Sequence, residues 1–326
     1  MAQRELEDDE LQTILELRQS ATVVVSGGNS VVAKVEALGE TFAVKQYGGS
    51  GDPGERLRRE SYCVAATTRH DIPGFAELRG VDEPGLLAVY TWIDGGRPSL
   101  DDTFVESALA FLERLHVRSS DCPSRNFPTA VDAVLEPGEL LRQIEVRARD
   151  LAASDVQQVA VFASDGLGPA ALRLMTVPEP HGGRHVTLSP SDFGPHNVLC
   201  RNGSADFTCI DLEFFGWDDA TKLVCDSLLH PLTDWTSGLA ETFLEGCSRI
   251  YDLSPERVLE QCRWYALKWA AIVARRAESM LRAGDAGGAD VMSLAQAYLR
   301  FGLQPPGEIV GSVDDVVALR HGKGVN

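Results

Sequence analysis

The sequence predicts an α+β fold of two lobes, a small β-rich N-lobe and a larger, mainly helical C-lobe. Two observations predict it. Residues 22–47 contain three β-rich runs separated by glycine-containing turns, the pattern of a strand meander. Beyond residue 100, helical patterns dominate. The break between them, DGGRPS, is typical of a linker, so we expect an N-lobe over residues 1–93, a hinge over 94–99 and a C-lobe over 100–326.

The N-lobe elements each follow from a local pattern. The charged residues 1–19 have helical spacing, and a second helix is expected after Pro53 and Gly54. The runs FAELRGV and GLLAVYTWI predict two strands in addition to the meander. The three meander strands are expected at residues 22–25, 31–37 and 41–47.

The C-lobe pattern is helical except around one polar loop. Helices are expected at residues 101–118, within 130–175 and from 239 onward. The runs RHVTLS and FTCIDLE predict short strands on either side of the polar loop.

Composition excludes several classes of protein. The 326 residues carry a net charge of −18, whereas nucleic acids and anionic membranes bind basic patches. The seven scattered cysteines form no CxxC pair, which argues against a zinc site and for a reducing compartment. The N-terminus lacks the apolar core of a signal peptide. We therefore expect a cytoplasmic monomer or homodimer with no nucleic-acid or membrane partner.

The polar loop and the strand after it carry a candidate catalytic centre. Asp192 and Asn197 stand in the spacing D-x-x-x-x-N, and Asp211 ends the next apolar run. A loop aspartate can orient a hydroxyl and accept its proton, while amide and carboxylate oxygens suit Mg²⁺. The alternative is ordinary turn chemistry of Asp and Asn.

A lysine and a glutamate in the N-lobe form a second candidate pair. Strand alternation in TFAVKQY puts Lys45 on the face opposite Val44, and Glu60 follows fifteen residues later in a helix. Such a pair can hold a lysine against nucleotide phosphates. Taken alone, each residue is more simply an ordinary surface charge.

Two glycine-containing stretches suggest phosphate loops. In the first, Gly27 and Gly28 between two strands, with Ser26, Asn29 and Ser30 as donors, can fold over phosphates or form a plain hairpin turn. The second, GLGPAA at residues 166–171, resembles a dinucleotide loop of a dehydrogenase. No strand with an acidic end follows it, so we interpret it as a helix–helix turn.

Taken in order, these positions resemble the aminoglycoside phosphotransferase and choline kinase family, which has the protein-kinase-like fold. The resemblance runs from about residue 23 to about residue 235 and rests on the segments FAVKQY, ALAFLERLH, SDFGPHNVL and IDLEFFGWDD. It implies that Asp192 is the catalytic aspartate and that Asn197 and Asp211 bind Mg²⁺. It also implies that Lys45, held by Glu60, binds the phosphates of ATP, with GTP as an alternative.

The resemblance also implies a hinge and reveals one departure. Trp92 and Ile93 fall where the family holds adenine, and Asp226 matches an aspartate that follows the metal site. The family usually reads His-Gly-Asp at the catalytic aspartate, but here Pro190 stands in the position of that histidine. An enzyme that phosphorylates a small-molecule hydroxyl is therefore expected, with a catalytically degenerate nucleotide-binding or regulatory protein as the alternative.

The acceptor class stays open among aminoglycosides, choline-like amino alcohols and sugars. The acidic balance and the carboxylates near Asp211 predict a cationic acceptor. The alternative is that these carboxylates face solvent or brace the loop. The carboxylates concerned are Glu213, Asp218, Asp219, Asp226 and Asp234.

Overall fold

The computed structural model has the expected α+β fold, with a five-stranded sheet in the N-terminal region and a mostly helical C-terminal part. It describes residues 5–27, 30–49, 51–123, 126–174, 185–201, 207–304 and 312–319. Among these residues, no helix combines the length and hydropathy that a bilayer crossing needs.

The chain divides into two compact units. The first consists of Met1–Ser99, Val117–Val131 and Pro195–Trp217, and the second of Leu100–His116, Asp132–Gly194 and Asp218–Asn326. The first unit thus includes residues 195–217, which contain the end of the polar loop and which the sequence pattern assigned to the C-lobe.

The five-stranded sheet of the first unit is antiparallel throughout, and its strands follow the spatial order Thr22–Gly27, Ser30–Ala37, Glu40–Tyr47, Leu87–Thr91 and Leu78–Asp82. It confirms the predicted meander and the two further strands. The strands and helices that build this region are α1 (Asp8–Arg18), β1 (Thr22–Gly27), β2 (Ser30–Ala37), β3 (Glu40–Tyr47), α2 (Pro53–Arg69), β4 (Leu78–Asp82) and β5 (Leu87–Thr91).

Strand alternation decides which side chains of β3 enter the core. Phe42 and Val44 are fully buried in a cluster with Ile14 of α1. Burial of each such side chain contributes about 1.5–3 kcal/mol. Because the side chains of a strand alternate, Lys45 is directed to the opposite face of the sheet.

Helix α2 begins where the sequence places a cap and a proline. The carboxylate of Asp52 accepts the backbone N–H of Glu55 at 3.1 Å, and Pro53 occupies the first turn, where its missing N–H costs no hydrogen bond. The buried face of the helix includes Leu57 and Glu60. An acidic residue on this apolar face requires a partner, which Lys45 provides.

A second small sheet in the first unit carries the end of the polar loop. Its strand order is β6-β8-β9, with β6 at Gly95–Gly96, β8 at Val198–Arg201 and β9 at Phe207–Cys209. The predicted linker at residues 94–99 therefore contains a two-residue strand. A Cβ at Gly95 would lie 2.0 Å from the carbonyl oxygen of Cys200, so only glycine permits this pairing.

The second unit is built on long helices. All ten residues of α7 (Ala220–Leu229) are buried, which is expected of a helix that other helices surround. The 28-residue α9 (Pro255–Arg282) packs against α7 and α10 (Gly288–Gly302). The remaining α-helices and strands of the described residues are α3 (Asp102–Ser120), α4 (Glu139–Ala152), α5 (Gln157–Val161), α6 (Gly168–Leu174), β7 (Val186–Ser189), β10 (Gly216–Asp219), α8 (Ser237–Tyr251) and α11 (Val313–Ala318).

The GLGPAA stretch is neither a phosphate loop nor a helix–helix turn, so the turn interpretation is wrong. A π-helical segment, Phe162–Leu167, joins α5 directly to α6. A Cβ at Gly166 would lie 2.6 Å from Cδ2 of Leu299 in α10. The glycine therefore permits close helix packing, a role that sequence periodicity cannot distinguish from a turn.

Candidate functional site

A buried ion pair lies on the face of β3 opposite the core. The Nζ of Lys45 is 2.7 Å from Oε2 of Glu60, which confirms the predicted pairing of strand and helix. Their side chains are only 8% and 3% exposed. A pair so buried requires further hydrogen bonds to offset its desolvation.

Two tyrosines supply those hydrogen bonds. The Tyr47 hydroxyl donates to Oε2 of Glu60 at 2.7 Å and lies 3.0 Å from the Tyr90 hydroxyl, which can donate to it in turn. Burial, together with the negative charge of Glu60, raises the pKa of both phenols, so both remain neutral donors. Tyr47 shares its strand face with Lys45, a signal that alternation in FAVKQY already contained.

Asp211 contacts the same lysine from the other side. Its Oδ1 lies 2.5 Å from the Lys45 Nζ, and its side chain is 37% exposed. Burial by itself would lower the pKa of Lys45, but the charges of Glu60 and Asp211 outweigh burial and raise it. Lys45 is therefore a fixed cation at neutral pH, between one buried and one accessible carboxylate.

Local backbone geometry places the Asp211 carboxylate. Asp211 follows β9 and has φ 65° and ψ 59°, a left-handed conformation that Asp tolerates better than most residues. The N–H of Ile210 donates to the carbonyl of Asn197 at 3.0 Å, which ties the residue before Asp211 to the end of the polar loop. Asn197 itself ends a 3₁₀ turn directly before β8.

Lys45, Glu60, Asn197 and Asp211 line the same pocket of the first unit, which has a volume of about 230 Å³. Its walls are mostly apolar and include Val32, Ala43 and Leu199. An apolar cavity with a few convergent polar groups is the usual form of a small-molecule site. Of the predicted site residues, the pocket brings together Ser30, Lys45, Glu60, Trp92, Ile93, Asn197 and Asp211.

The predicted glycine turn is only partly visible. Ser26 and Gly27 end β1, paired with Val31 and Ser30 of β2. Gly28 and Asn29 lie outside the described residues. At the predicted hinge, the N–H of Trp92 donates to the Thr41 carbonyl at 3.1 Å, so this donor already belongs to the sheet.

The donor set of the pocket suits a hard divalent cation. Asp211 offers a carboxylate and Asn197 an amide oxygen, and Mg²⁺ prefers oxygen ligands of this kind. The exposed fraction of the Asp211 side chain leaves part of its carboxylate open to a ligand. The two residues would therefore suit a magnesium ion.

Asp192 belongs to the second unit, in the loop that follows β7. Its backbone N–H donates to the Pro190 carbonyl at 2.8 Å, and the preceding Ser191 has φ 65°. The Asp192 side chain is 30% exposed, and its Oδ1 lies 3.2 Å from Nε2 of His230. The ring of the next residue, Phe193, stacks on Phe111 of α3 with centroids 5.8 Å apart. The loop is thus held on both sides of Asp192.

Several carboxylates that follow Asp211 in the sequence have protein partners. Within the second unit, Asp218 contacts Lys222 at 2.7 Å and accepts the N–H of Val134, while Asp219 caps α7. Asp226 contacts Lys268 at 2.8 Å. In the first unit, Glu213 lies 3.5 Å from Arg56. These four carboxylates therefore offer less uncompensated negative charge than the sequence pattern suggests.

No protein-family model and no curated protein matches this sequence. Several solved structures, however, are similar to this protein in fold. Ethanolamine kinase from Plasmodium vivax superposes with a TM-score of 0.60 at 12% identity over 88% of this chain and 83% of its own. Choline kinase from Streptococcus pneumoniae gives 0.56 at 17% identity, over 90% and 99%. A spectinomycin phosphotransferase bound to ADP and spectinomycin gives 0.54 at 13%, over 95% and 98%. At these identities the similarity establishes a shared fold, and it confirms the fold resemblance seen in the sequence.

Proposed function

We propose that this protein is an ATP-dependent O-phosphotransferase that acts on a small molecule. The observation that carries the proposal is Lys45, a buried cation between Glu60 and Asp211 at the wall of a largely apolar pocket. In kinases, a lysine so held grips nucleotide phosphates beside a metal-binding aspartate. The similar structures, among them a spectinomycin phosphotransferase with bound ADP, support the same reading.

Different residues of the pocket would bind different parts of the nucleotide. Lys45 would donate to phosphate oxygens, and Glu60, fixed by Tyr47, would hold the ammonium group in place. The apolar walls beside Trp92 and Ile93 would enclose the base of ATP, or of GTP. Asn197 and Asp211 would hold Mg²⁺, which when bound neutralises charge on the phosphates.

The transfer step would use Asp192. Its carboxylate would accept a hydrogen bond from the acceptor hydroxyl and then its proton, while the acceptor oxygen bonds to the γ-phosphorus and the bond to the β-phosphate oxygen breaks. The products are the phosphorylated acceptor and ADP. Because Asp192 is partly exposed, a substrate hydroxyl can reach its carboxylate.

The acceptor would be an aminoglycoside, an amino alcohol such as choline, or a sugar. Known structures of this fold include ethanolamine and choline kinases, both of which act on cations. A cationic acceptor remains our expectation, although most of the carboxylates that first suggested it have protein partners. The net charge of −18 still favours attraction of a cation over an anion.

An acceptor screen with coupled ADP detection tests the proposal. ATP and GTP are each offered with Mg²⁺ and matched pairs of amine-bearing and neutral alcohols. We expect turnover with at least one amine-bearing alcohol, and a drop in kcat of about 10²–10⁴-fold in Asp192→Ala with nucleotide affinity retained. The exposed Asp150→Asn variant on α4 is the control.

Three other outcomes discriminate between the alternatives. ATP binding without turnover by any acceptor would favour the catalytically degenerate nucleotide-binding protein, which the Pro190 departure suggests. Thermal stabilisation by NAD but not by ATP would contradict the kinase assignment altogether. Equal kcat/KM for amine-bearing and neutral alcohols, independent of salt, would exclude charge selection of the acceptor.

A further inference from the structure

One face of α7 carries three polar residues spaced by four, the spacing that aligns side chains on a helix. Lys222, Asp226 and, directly after the helix, His230 all belong to the second unit. The Nζ of Lys222 donates to the Ser191 hydroxyl at 2.9 Å, and His230 lies 3.2 Å from Asp192. This face therefore contacts two successive residues of the loop that carries the candidate catalytic carboxylate.

The contacts of His230 define which ring nitrogen carries the proton. The backbone N–H of Leu232 donates to Nδ1 at 3.2 Å, so Nδ1 must present a lone pair. A neutral imidazole then has its proton on Nε2, the atom that lies 3.2 Å from Oδ1 of Asp192. The ring is thus set to donate toward the carboxylate.

Packing fixes the orientation of that ring. His230 is 8% exposed, and its ring meets Trp269 of α9 edge to face with centroids 5.0 Å apart. The indole Nε1 of Trp269 donates to Oδ1 of Asp226 at 2.9 Å, and Asp226 contacts Lys268. The imidazole rests on a buried, hydrogen-bonded support and has little freedom to turn.

We infer that His230 is the positioning residue for Asp192, and that it takes over a role which Pro190, with no donor group, cannot perform. The inference rests on the proposed phosphotransferase function. By donating to Oδ1, the imidazole fixes the rotation of the carboxylate to which the acceptor hydroxyl would donate. Lys222 holds the neighbouring Ser191, a non-glycine residue at φ 65°, so that the loop keeps its conformation.

A pair of substitutions separates positioning from structural support. His230→Gln places an amide donor where Nε2 stands and keeps the reach to Asp192. His230→Asn is shorter and loses that reach, but its amide oxygen can still accept the Leu232 N–H. We expect His230→Asn to lower kcat by about 10²-fold, the cost of a misplaced catalytic group. His230→Gln should keep at least about a tenth of kcat, and neither variant should change the KM for ATP by more than about twofold.

The expected and contrary outcomes are distinct. Equal losses in both variants, or a loss confined to the thermal midpoint, would show that His230 serves folding and would overturn the inference. Full activity in His230→Asn would also overturn it. Both variants are compared at matched folded fractions, measured by circular dichroism.

A second measurement does not depend on activity. In ¹⁵N-histidine-labelled protein, long-range ¹H–¹⁵N correlation spectra report the tautomer of each imidazole. We expect the proton of His230 on Nε2, and a changed Nε2 shift in Asp192→Ala. A proton on Nδ1, or an unchanged Nε2 shift, would overturn the contact itself. Absence of ADP formation by the unaltered protein with this tautomer present would instead overturn the proposed function.

Discussion

Each of the two units buries a lysine between two carboxylates, and the two clusters differ in access. Around Lys45, one partner, Glu60, is buried, while Asp211 is 37% exposed at a pocket. Around Lys222, the partners Asp218 and Asp226 are 0% and 8% exposed. The same residue types therefore make an open cluster that a ligand can enter and a closed cluster that braces the fold.

The energetics of the two clusters differ accordingly. In the closed cluster, Asp226 is shared with Lys268, so cations and anions alternate and satisfy one another. In the open cluster, a ligand phosphate can replace the contact of Asp211 with Lys45 at small desolvation cost, because Asp211 already meets water. Removing a partner from a closed cluster leaves a buried charge, whereas removing one from an open cluster mainly removes a binding group.

The largest effect is expected from Lys222→Met. The substitution removes the cation that pairs with Asp218, whose side chain is fully buried. Because a buried charge is then left without its counter-ion, we expect the free energy of unfolding to fall by about 3–5 kcal/mol. Chemical denaturation measures it. Arg58→Met is the matched control, since Arg58 pairs with Glu55 at the surface and should cost under about 1 kcal/mol. A loss as small as that of the control would remove the distinction between the clusters.

The next effect is expected from Lys45→Met, and it should appear in binding and turnover. Loss of this donor should lower kcat/KM by about 10²–10³-fold, the range found for a single donor to a developing charge. Stability should fall less than in Lys222→Met, because Glu60 keeps its bond from Tyr47 and Asp211 can be hydrated. Calorimetric titration with ATP and denaturation together measure both quantities. If Lys45→Met destabilised as strongly as Lys222→Met, both clusters would be structural.

A smaller effect is expected from Glu60→Gln. The amide keeps a hydrogen-bond acceptor for Tyr47 but loses the charge that holds Lys45. We expect kcat/KM to fall about tenfold, which corresponds to about 1.4 kcal/mol. Glu55→Gln, on the exposed face of the same helix, is the control and should leave kcat/KM unchanged. A Glu60→Gln protein as active as the control would mean that Lys45 needs no fixed anion.

The smallest effect is a pH dependence of the closed cluster. Burial would raise the pKa of Asp226, but the charges of Lys268 and Lys222 outweigh it and lower the pKa below its usual range. A carboxyl with a depressed pKa adds stability that is present above the unfolded pKa of about 3.9 and is lost as pH falls through the folded value.

Asp226→Asn removes this dependence. Although the variant starts less stable at pH 7, it should lose less stability than the unaltered protein between pH 5 and pH 3. Urea denaturation at each pH measures the difference in slope. Equal slopes would indicate that the pKa of Asp226 is the same in the folded and the unfolded protein, and would contradict the depressed value.

Much of the first unit could be predicted because its signals are local. Alternation in TFAVKQY fixed the face on which Lys45 lies, and Asp52 with Pro53 marked the start of α2. The helical pattern then placed Glu60 in α2, and the structure shows that this part of the helix is buried. Where two such elements pack against each other, pairing of Lys45 with Glu60 follows from the need to neutralise a buried charge.

Two interpretations depended on which way side chains point, and the sequence pattern does not determine this. The glycines of GLGPAA were interpreted as a turn, but the absence of a side chain at Gly166 lets Leu299 of α10 pack closely against the backbone there. Asp218 and Asp226 were interpreted as carboxylates that attract a cationic substrate. In the structure Asp218 contacts Lys222, one helical turn away, and Asp226 contacts Lys268 on α9. The four-residue spacing allows Asp218 and Lys222 to pair, but only the tertiary structure shows that this pair is buried away from solvent.

The sequence by itself determined which residue types stand at the ends of which elements: Lys45 on a strand, Glu60 on a helix, and Asp192, Asn197 and Asp211 around a polar loop. Local periodicity and turn chemistry involve only a few neighbouring residues, so they can be recognised in a single sequence. The tertiary structure decided the partners, because Lys45 and Asp211 are 166 positions apart and His230 reaches Asp192 across 38 positions (230 − 192). Contacts at such separations depend on how whole helices and strands pack, and packing alone made one cluster open and the other closed.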